Sequence, residues 1–129
     1  MNEKIIEALM QLFALIANPT RNDDERRGVV KGFLSHHLNQ ALVGKYLSLY
    51  SQSYKDAQER LGKSSPERRE GAIAIRITKL CNDINEEGQL DSEQRIIVVI
   101  QALEFCKSGG ADVTPLEKGF IATLAEGLN

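Results

Sequence analysis

Apolar residues return every three or four positions along almost the whole chain, the period of helices that bury one face. Ile5, Ile6, Leu9, Leu12, Phe13 and Ile16 predict a first helix, which Pro19 stops. Asp23-Asp24-Glu25 put negative charge where the dipole at the start of a second helix favours it. That helix carries Val29, Val30, Phe33 and Leu34 towards the core. Asn39 has the side chain of an N-cap, and Leu42, Val43, Tyr46, Leu47, Tyr50 and Tyr54 follow on the buried side of a third helix.

Gly62-Lys63-Ser64-Ser65-Pro66 is the clearest break, with Ser65 as an N-cap and Pro66 in a first helical turn. The fourth helix spans 66–85, and its apolar face is Ile73, Ile77, Leu80, Cys81 and Ile84. Glu86-Glu87-Gly88-Gln89-Leu90 interrupts the period, and Asp91-Ser92-Glu93-Gln94 reads as a capping box. The helix it opens, to Cys106, is apolar on nearly all sides through Ile96, Ile97, Val98, Val99, Ile100, Leu103 and Phe105. Such a helix is expected in the middle of a bundle. Ser108-Gly109-Gly110 ends it. Thr114-Pro115-Leu116-Glu117 is a second capping box, opening a last helix with Leu116, Phe120, Ile121 and Leu124 inward. No stretch combines strict alternation with β-branched residues, so the expected fold is all-α, a compact bundle of six or seven helices.

Shifting the chain on itself by 68 residues aligns Leu12 with Leu80, Ile16 with Ile84, Glu25 with Glu93 and Arg27 with Arg95. Two readings stay open. One is a pseudo-twofold bundle with repeat-like halves 4–60 and 66–128; the other is chance similarity between amphipathic helix pairs.

At 129 residues the chain is expected to form one domain over 1–129, with an ordinary hydrophobic core. Hydrophobic residues at 42% and charged residues at 26% argue against wholesale disorder. Aromatics are 5% with no Trp, and the net charge is −2, so neither base stacking nor phosphate-backbone binding is expected. Residues 1–64 carry nine Lys/Arg against seven Asp/Glu, and residues 65–129 carry seven against eleven. That asymmetry is mild. Cys81 and Cys106 lie within apolar periods and not in a Cys-x-x-Cys pair, so two reduced core thiols of a cytoplasmic protein are expected. Apolar runs such as Ile96–Ile100 reach about a quarter of a membrane span, and the first residues lack the layout of a signal peptide.

Candidate chemistry concentrates on the acids. Asn85, Glu86, Glu87, Asp91 and Glu93 fall within nine residues around one loop and offer oxygen ligands suited to calcium or magnesium. The EF-hand spacing is absent. The competing reading is that Asp91 caps a helix, Glu93 answers its dipole and the others are solvated. His36-His37 is the one histidine cluster; adjacent helical residues point about 100° apart and do not hold one metal together. A helix-end position is the ordinary role for that pair. Gly109-Gly110 lacks the strand and the Gly-Lys-Ser/Thr ending of a phosphate loop. Arg68-Arg69 beside Glu67 and Glu70 is balanced charge. No order of Ser, His, Cys and acid suggests nucleophilic catalysis, so a non-enzymatic protein is expected.

The segment from Leu80 to Arg95, Leu80-Cys81-Asn82-Asp83-Ile84-Asn85-Glu86-Glu87-Gly88-Gln89-Leu90-Asp91-Ser92-Glu93-Gln94-Arg95, resembles the tellurite-resistance TerB-like domains. Their mark is a helix ending in an Ala-Asp-Gly-like turn, an apolar residue two positions on, then acids opening the next helix. Leu15-Ile16-Ala17-Asn18-Pro19 with Asp23-Asp24-Glu25 would be a first copy, and Thr114-Pro115-Leu116-Glu117 is similar to the family's closing helix. Where the family has Asp-Gly, this chain has Glu87-Gly88 and Asn18-Pro19. The resemblance implies a small all-helical fold and a role in metal or chemical stress response. It also implies association with membrane-linked complexes, and a divalent cation such as calcium held by acids at the positions of Glu87, Asp91, Glu93, Asp24 and Glu25. Such domains also occur as modules of larger transporters and ATPases. The expected function is that of a non-catalytic binding or regulatory domain with an unidentified protein partner, without nucleic acid or membrane insertion. The alternative is a plain protein-interaction module with no ion site.

Overall fold

The computed structural model describes residues 2–88, 90–110 and 112–128. Met1, Ala111, Asn129 and Gln89, the last a member of the turn singled out above, lie outside the described residues. The described residues form six α-helices and no strand: α1 (Glu3–Ile16), α2 (Asp23–His37), α3 (Gln40–Leu61), α4 (Pro66–Glu87), α5 (Ser92–Cys106) and α6 (Pro115–Gly127). A 3-10 turn at Ser108–Gly110 follows α5. The fold is an all-α bundle, as the period of the sequence requires.

Local chemistry sets the helix starts. Asn2 accepts from the Ile5 N–H at 2.9 Å, Asn22 from Glu25 at 3.2 Å and Ser65 from Arg68 at 3.4 Å, so three N-caps satisfy otherwise orphaned donors. Both capping boxes form: the Gln94 N–H donates to Asp91 Oδ1 at 2.8 Å while Asp91 N–H donates to Gln94 Oε1 at 3.1 Å. Thr114 and Glu117 exchange the same two bonds at 3.1 and 3.0 Å. Asn39 starts α3 without a side-chain hydrogen bond, so its predicted capping role is not met. Gly88 closes α4 at φ 63°, a left-handed conformation that glycine takes without a Cβ penalty.

The middle of the bundle is α1. Ten of its fourteen residues are buried, and it packs against α3, α4 and α5. This corrects the expectation for α5, which buries only Val98, Ala102, Phe105 and Cys106 and leaves Ile96 and Ile100 60% and 50% exposed. The physical reason is that α5 meets its neighbours on one side only, α1, α2 and α6, and nothing described covers its other side. Leu116, expected inward, is 47% exposed. Phe13 joins α1 to its neighbours: its ring lies 5.7 Å from Phe33 of α2 and 5.3 Å from Phe105 of α5, and Tyr50 of α3 meets Phe105 edge-on at 5.9 Å.

The 68-residue repeat is not established. Under that shift Ile16, the last residue of α1, falls on Ile84, three residues inside α4. The environments differ as well, since α4 buries five of its 22 residues.

The last helix approaches α4 closely. A Cβ on Gly127 would lie 2.8 Å from both Cβ and Sγ of Cys81, whereas a Cβ on Gly119 in the same helix meets nothing within 4 Å. Gly127→Ala is therefore expected to push α6 off α4 and cost about 1–3 kcal/mol. Gly119→Ala should stabilise by about 0.5–1 kcal/mol through helix propensity. Thermal melts of the two variants check this, and shifts of the same sign would refute the packing argument.

Candidate functional site

The acids of the two loops are placed by helix ends. Asp91 spends a carboxylate oxygen on the Gln94 N–H, and Glu93 is exposed in the first turn of α5. Asp24 and Glu25 are exposed in the first turn of α2, where they answer the dipole. Glu87, near the end of α4, accepts from Asn2 Nδ2 at 3.3 Å and lies 3.7 Å from Lys4 Nζ. Among the described residues no three His, Cys, Asp or Glu side chains are grouped closely enough to hold an ion. A shared cation would need several oxygens turned to one point. These carboxylates are instead spread over a cap, two first turns and a contact with α1, so the residues present do not fit the cation that the resemblance implies.

The most strongly perturbed titratable groups, Cys81, Cys106 and Tyr50, sit in the core. Both cysteines are free and buried. Burial pushes the Cys81 thiol up to about 11; burial, and then the Glu117 carboxylate, push Cys106 to about 12. At neutral pH both are thiols rather than nucleophilic thiolates. Burial also raises Tyr50, whose ring is fully enclosed. His36 and His37 occupy the last turn of α2, and the His37 ring packs 4.7 Å from Phe33, where burial lowers its pKa.

Two arginines hold the segment between α1 and α2. Arg26, 2% exposed, donates through Nη1 to the Asn18 carbonyl and through Nη2 to Asp23 Oδ1 at 2.9 Å, with its guanidinium 4.7 Å over the Tyr54 ring. Arg21 Nη2 donates to Glu117 Oε1 at 2.6 Å and to the Asp112 carbonyl at 2.8 Å, which ties the loop to the start of α6. The Arg21 and Glu117 side chains are 9% and 4% exposed. Sequence spacing gives no sign of this pair, because 96 residues separate its members.

The open surface of the bundle has a different character. On α5, Ile96, Val99 and Ile100 face a groove of about 380 Å³ that Ala125 and Leu128 complete from the α6 side. Arg95 and Ser92 are its polar residues, and among the described residues Arg95 Nε has no hydrogen-bond partner. Two large, neighbouring apolar side chains half-exposed on one helix face form a continuous patch, unlike the isolated Ile75 on α4. The apolar run that produced the expectation of a central helix is the signal for this patch, read with the wrong sign. Compared with models of protein families, with curated proteins and with solved structures, the chain matches none.

Removing one member of the Arg21–Glu117 pair leaves the other charge buried alone. Arg21→Met is expected to cost about 3 kcal/mol, roughly a 10 °C fall in Tm. The double variant Arg21→Met/Glu117→Gln should cost at least about 1 kcal/mol less than the sum of the singles. Additive losses in a double-mutant cycle would show that the pair contributes nothing as a pair.

Proposed function

We propose that this chain is a non-catalytic helical module that docks a protein partner through the α5–α6 face. The observation that carries the reading is the paired exposure of Ile96 and Ile100 on a helix whose opposite side is core. Exposed apolar patches of this kind mark interaction surfaces in soluble domains. Arg95 in the groove lining gives the face one cation, suited to a carboxylate on the partner. Among the described residues no helix is long and apolar enough to cross a membrane, so the patch is read as a surface for protein and not for insertion. The resemblance to TerB-like domains gives this reading a setting in metal or chemical stress response, and the reading uses no cation.

The test is affinity capture from the native source with the wild-type chain, Ile96→Asp/Ile100→Asp and Ile75→Asp, followed by reconstitution with the purified partner. Both variants should melt within about 0.5 kcal/mol of wild type, because the substituted side chains face solvent. The partner is expected to bind wild type and Ile75→Asp and to be lost, by at least about tenfold in Kd, from the double variant. Equal binding by all three proteins would rule out this face. Calorimetry with calcium on wild type and Glu87→Gln/Glu93→Gln tests the cation-dependent alternative. Saturable heat lost in that variant would restore it.

A further inference from the structure

We propose that the chain also binds a small amphipathic carboxylate, its alkyl tail in an apolar cavity where α1, α3, α4 and α6 meet and its head group at Arg69. The cavity has a volume of about 260 Å³. Leu15, Ala57, Leu61, Ile73, Leu116 and Phe120 supply its apolar wall. A volume a little below the roughly 300–1,000 Å³ of drug-sized ligand pockets points to a small ligand such as a medium-length alkyl chain. Leu116 carries the apolar wall out to solvent, which gives the tail a way in.

Arg69 is the unneutralised charge on this wall. Its Nε donates to the Leu61 carbonyl at 3.2 Å and its Nη2 to the Gly62 carbonyl at 3.5 Å, so the guanidinium is aimed by the end of α3. Satisfying the last carbonyls of a helix is an ordinary task for an arginine. It does not explain the apolar cavity beside the cation. Among the described residues no carboxylate lies within ion-pair distance of Arg69. Nη1 and the second Nη2 hydrogen are left to meet a carboxylate. The acid on the same wall, Glu117, is buried and meets Arg21 through Oε1 at 2.6 Å, while its Oε2 has no hydrogen-bond partner among the described residues. The surrounding field has the same sign. A second pocket of about 230 Å³ shares Leu15, Ala57 and Leu61 with the first and is lined by Arg60 and Arg76, with Asp56 as its single acid. Burial and the neighbouring Arg60 charge both lower the Arg76 pKa, as expected where two cations crowd together. An anion arriving here finds a guanidinium on both sides of the shared wall.

Sodium octanoate and 1-octanol are the probes, titrated by calorimetry and followed by methyl and amide NMR on the full chain. Octanoate is expected to saturate one site with a Kd below about 1 mM and to shift Leu61, Ile73 and Phe120. Arg69→Gln should weaken octanoate by at least about tenfold and leave octanol unchanged, while Arg76→Gln changes octanoate by less than about threefold. Because Arg69 also anchors the end of α3, a second variant guards against loss of fold: Ala57→Leu fills the cavity and should abolish binding of both probes. The site is independent of the docking face, so Ile96→Asp/Ile100→Asp should keep the octanoate Kd. The proposal is overturned if octanoate does not saturate, binds no better than octanol, survives Ala57→Leu, or shifts Ile96 and Ile100 in place of the cavity residues.

Discussion

α1 buries ten of its fourteen residues and leaves water only the strip that carries Glu3, Lys4 and Glu7, and the packing of this fold is arranged around that helix. Ile5, Ile6, Leu9, Met10, Leu12, Phe13, Ala14 and Ile16 are all nearly inaccessible, with α3, α4 and α5 packed against them. Once α1 is enclosed, its neighbours need only one apolar stripe each, and the outer side of α5, with Ile96 and Ile100 exposed, departs from that economy. The aromatic contacts follow the same plan. Phe13 is the ring from which the packing passes to α2 through Phe33 and to α5 through Phe105.

Enclosing α1 also fixes where buried charge is tolerated. The chain must leave α1 and turn into α2 beside the core, and the carbonyl of Asn18 is met there by Arg26. Arg26 in turn finds Asp23 and the face of Tyr54, and Arg21 finds Glu117. These cations are surrounded by partners, as buried charges must be. The satisfaction is incomplete among the described residues: Arg26 Nε, Glu117 Oε2 and Arg21 Nη1 have no hydrogen-bond partner. Each pair therefore serves to fix the path of a loop more than to add net stability.

What the sequence made legible was local. Caps, capping boxes and stops lie within four residues of the backbone groups they satisfy, and Ser65, Asp91, Thr114 and Gly88 act as their spacing predicts. What failed depended on neighbours far away in sequence. Ile96–Ile100 and Leu12–Ala17 are both continuous apolar runs, and only tertiary contacts decide that the second is enclosed and the first is half bare. The acids show the same dependence on neighbours. A cluster in sequence becomes a ligand set only if side chains converge, and here a cap and two helix dipoles had already claimed Asp91, Glu93, Asp24 and Glu25. The Arg21–Glu117 pair was invisible, since neither its members nor their spacing forms a motif.

The distribution of chemistry between inside and outside bears on the proposed binding role. Groups whose acidity is most altered, Cys81, Cys106 and Tyr50, are enclosed in the core and answer to packing. The concave surfaces carry the opposite endowment: apolar walls with guanidinium groups, Arg95 in one and Arg69 in the other. A guanidinium holds its proton throughout the physiological range, so it recognises an anion and does not shuttle protons. Both surfaces draw on α6. Phe120 and Leu116 line the cavity, Ala125 and Leu128 close the groove, and Gly127 seats the helix against Cys81. The two surfaces use different stretches of that helix, Leu116 and Phe120 near its start and Ala125 and Leu128 at its end, so a change at one need not alter the other.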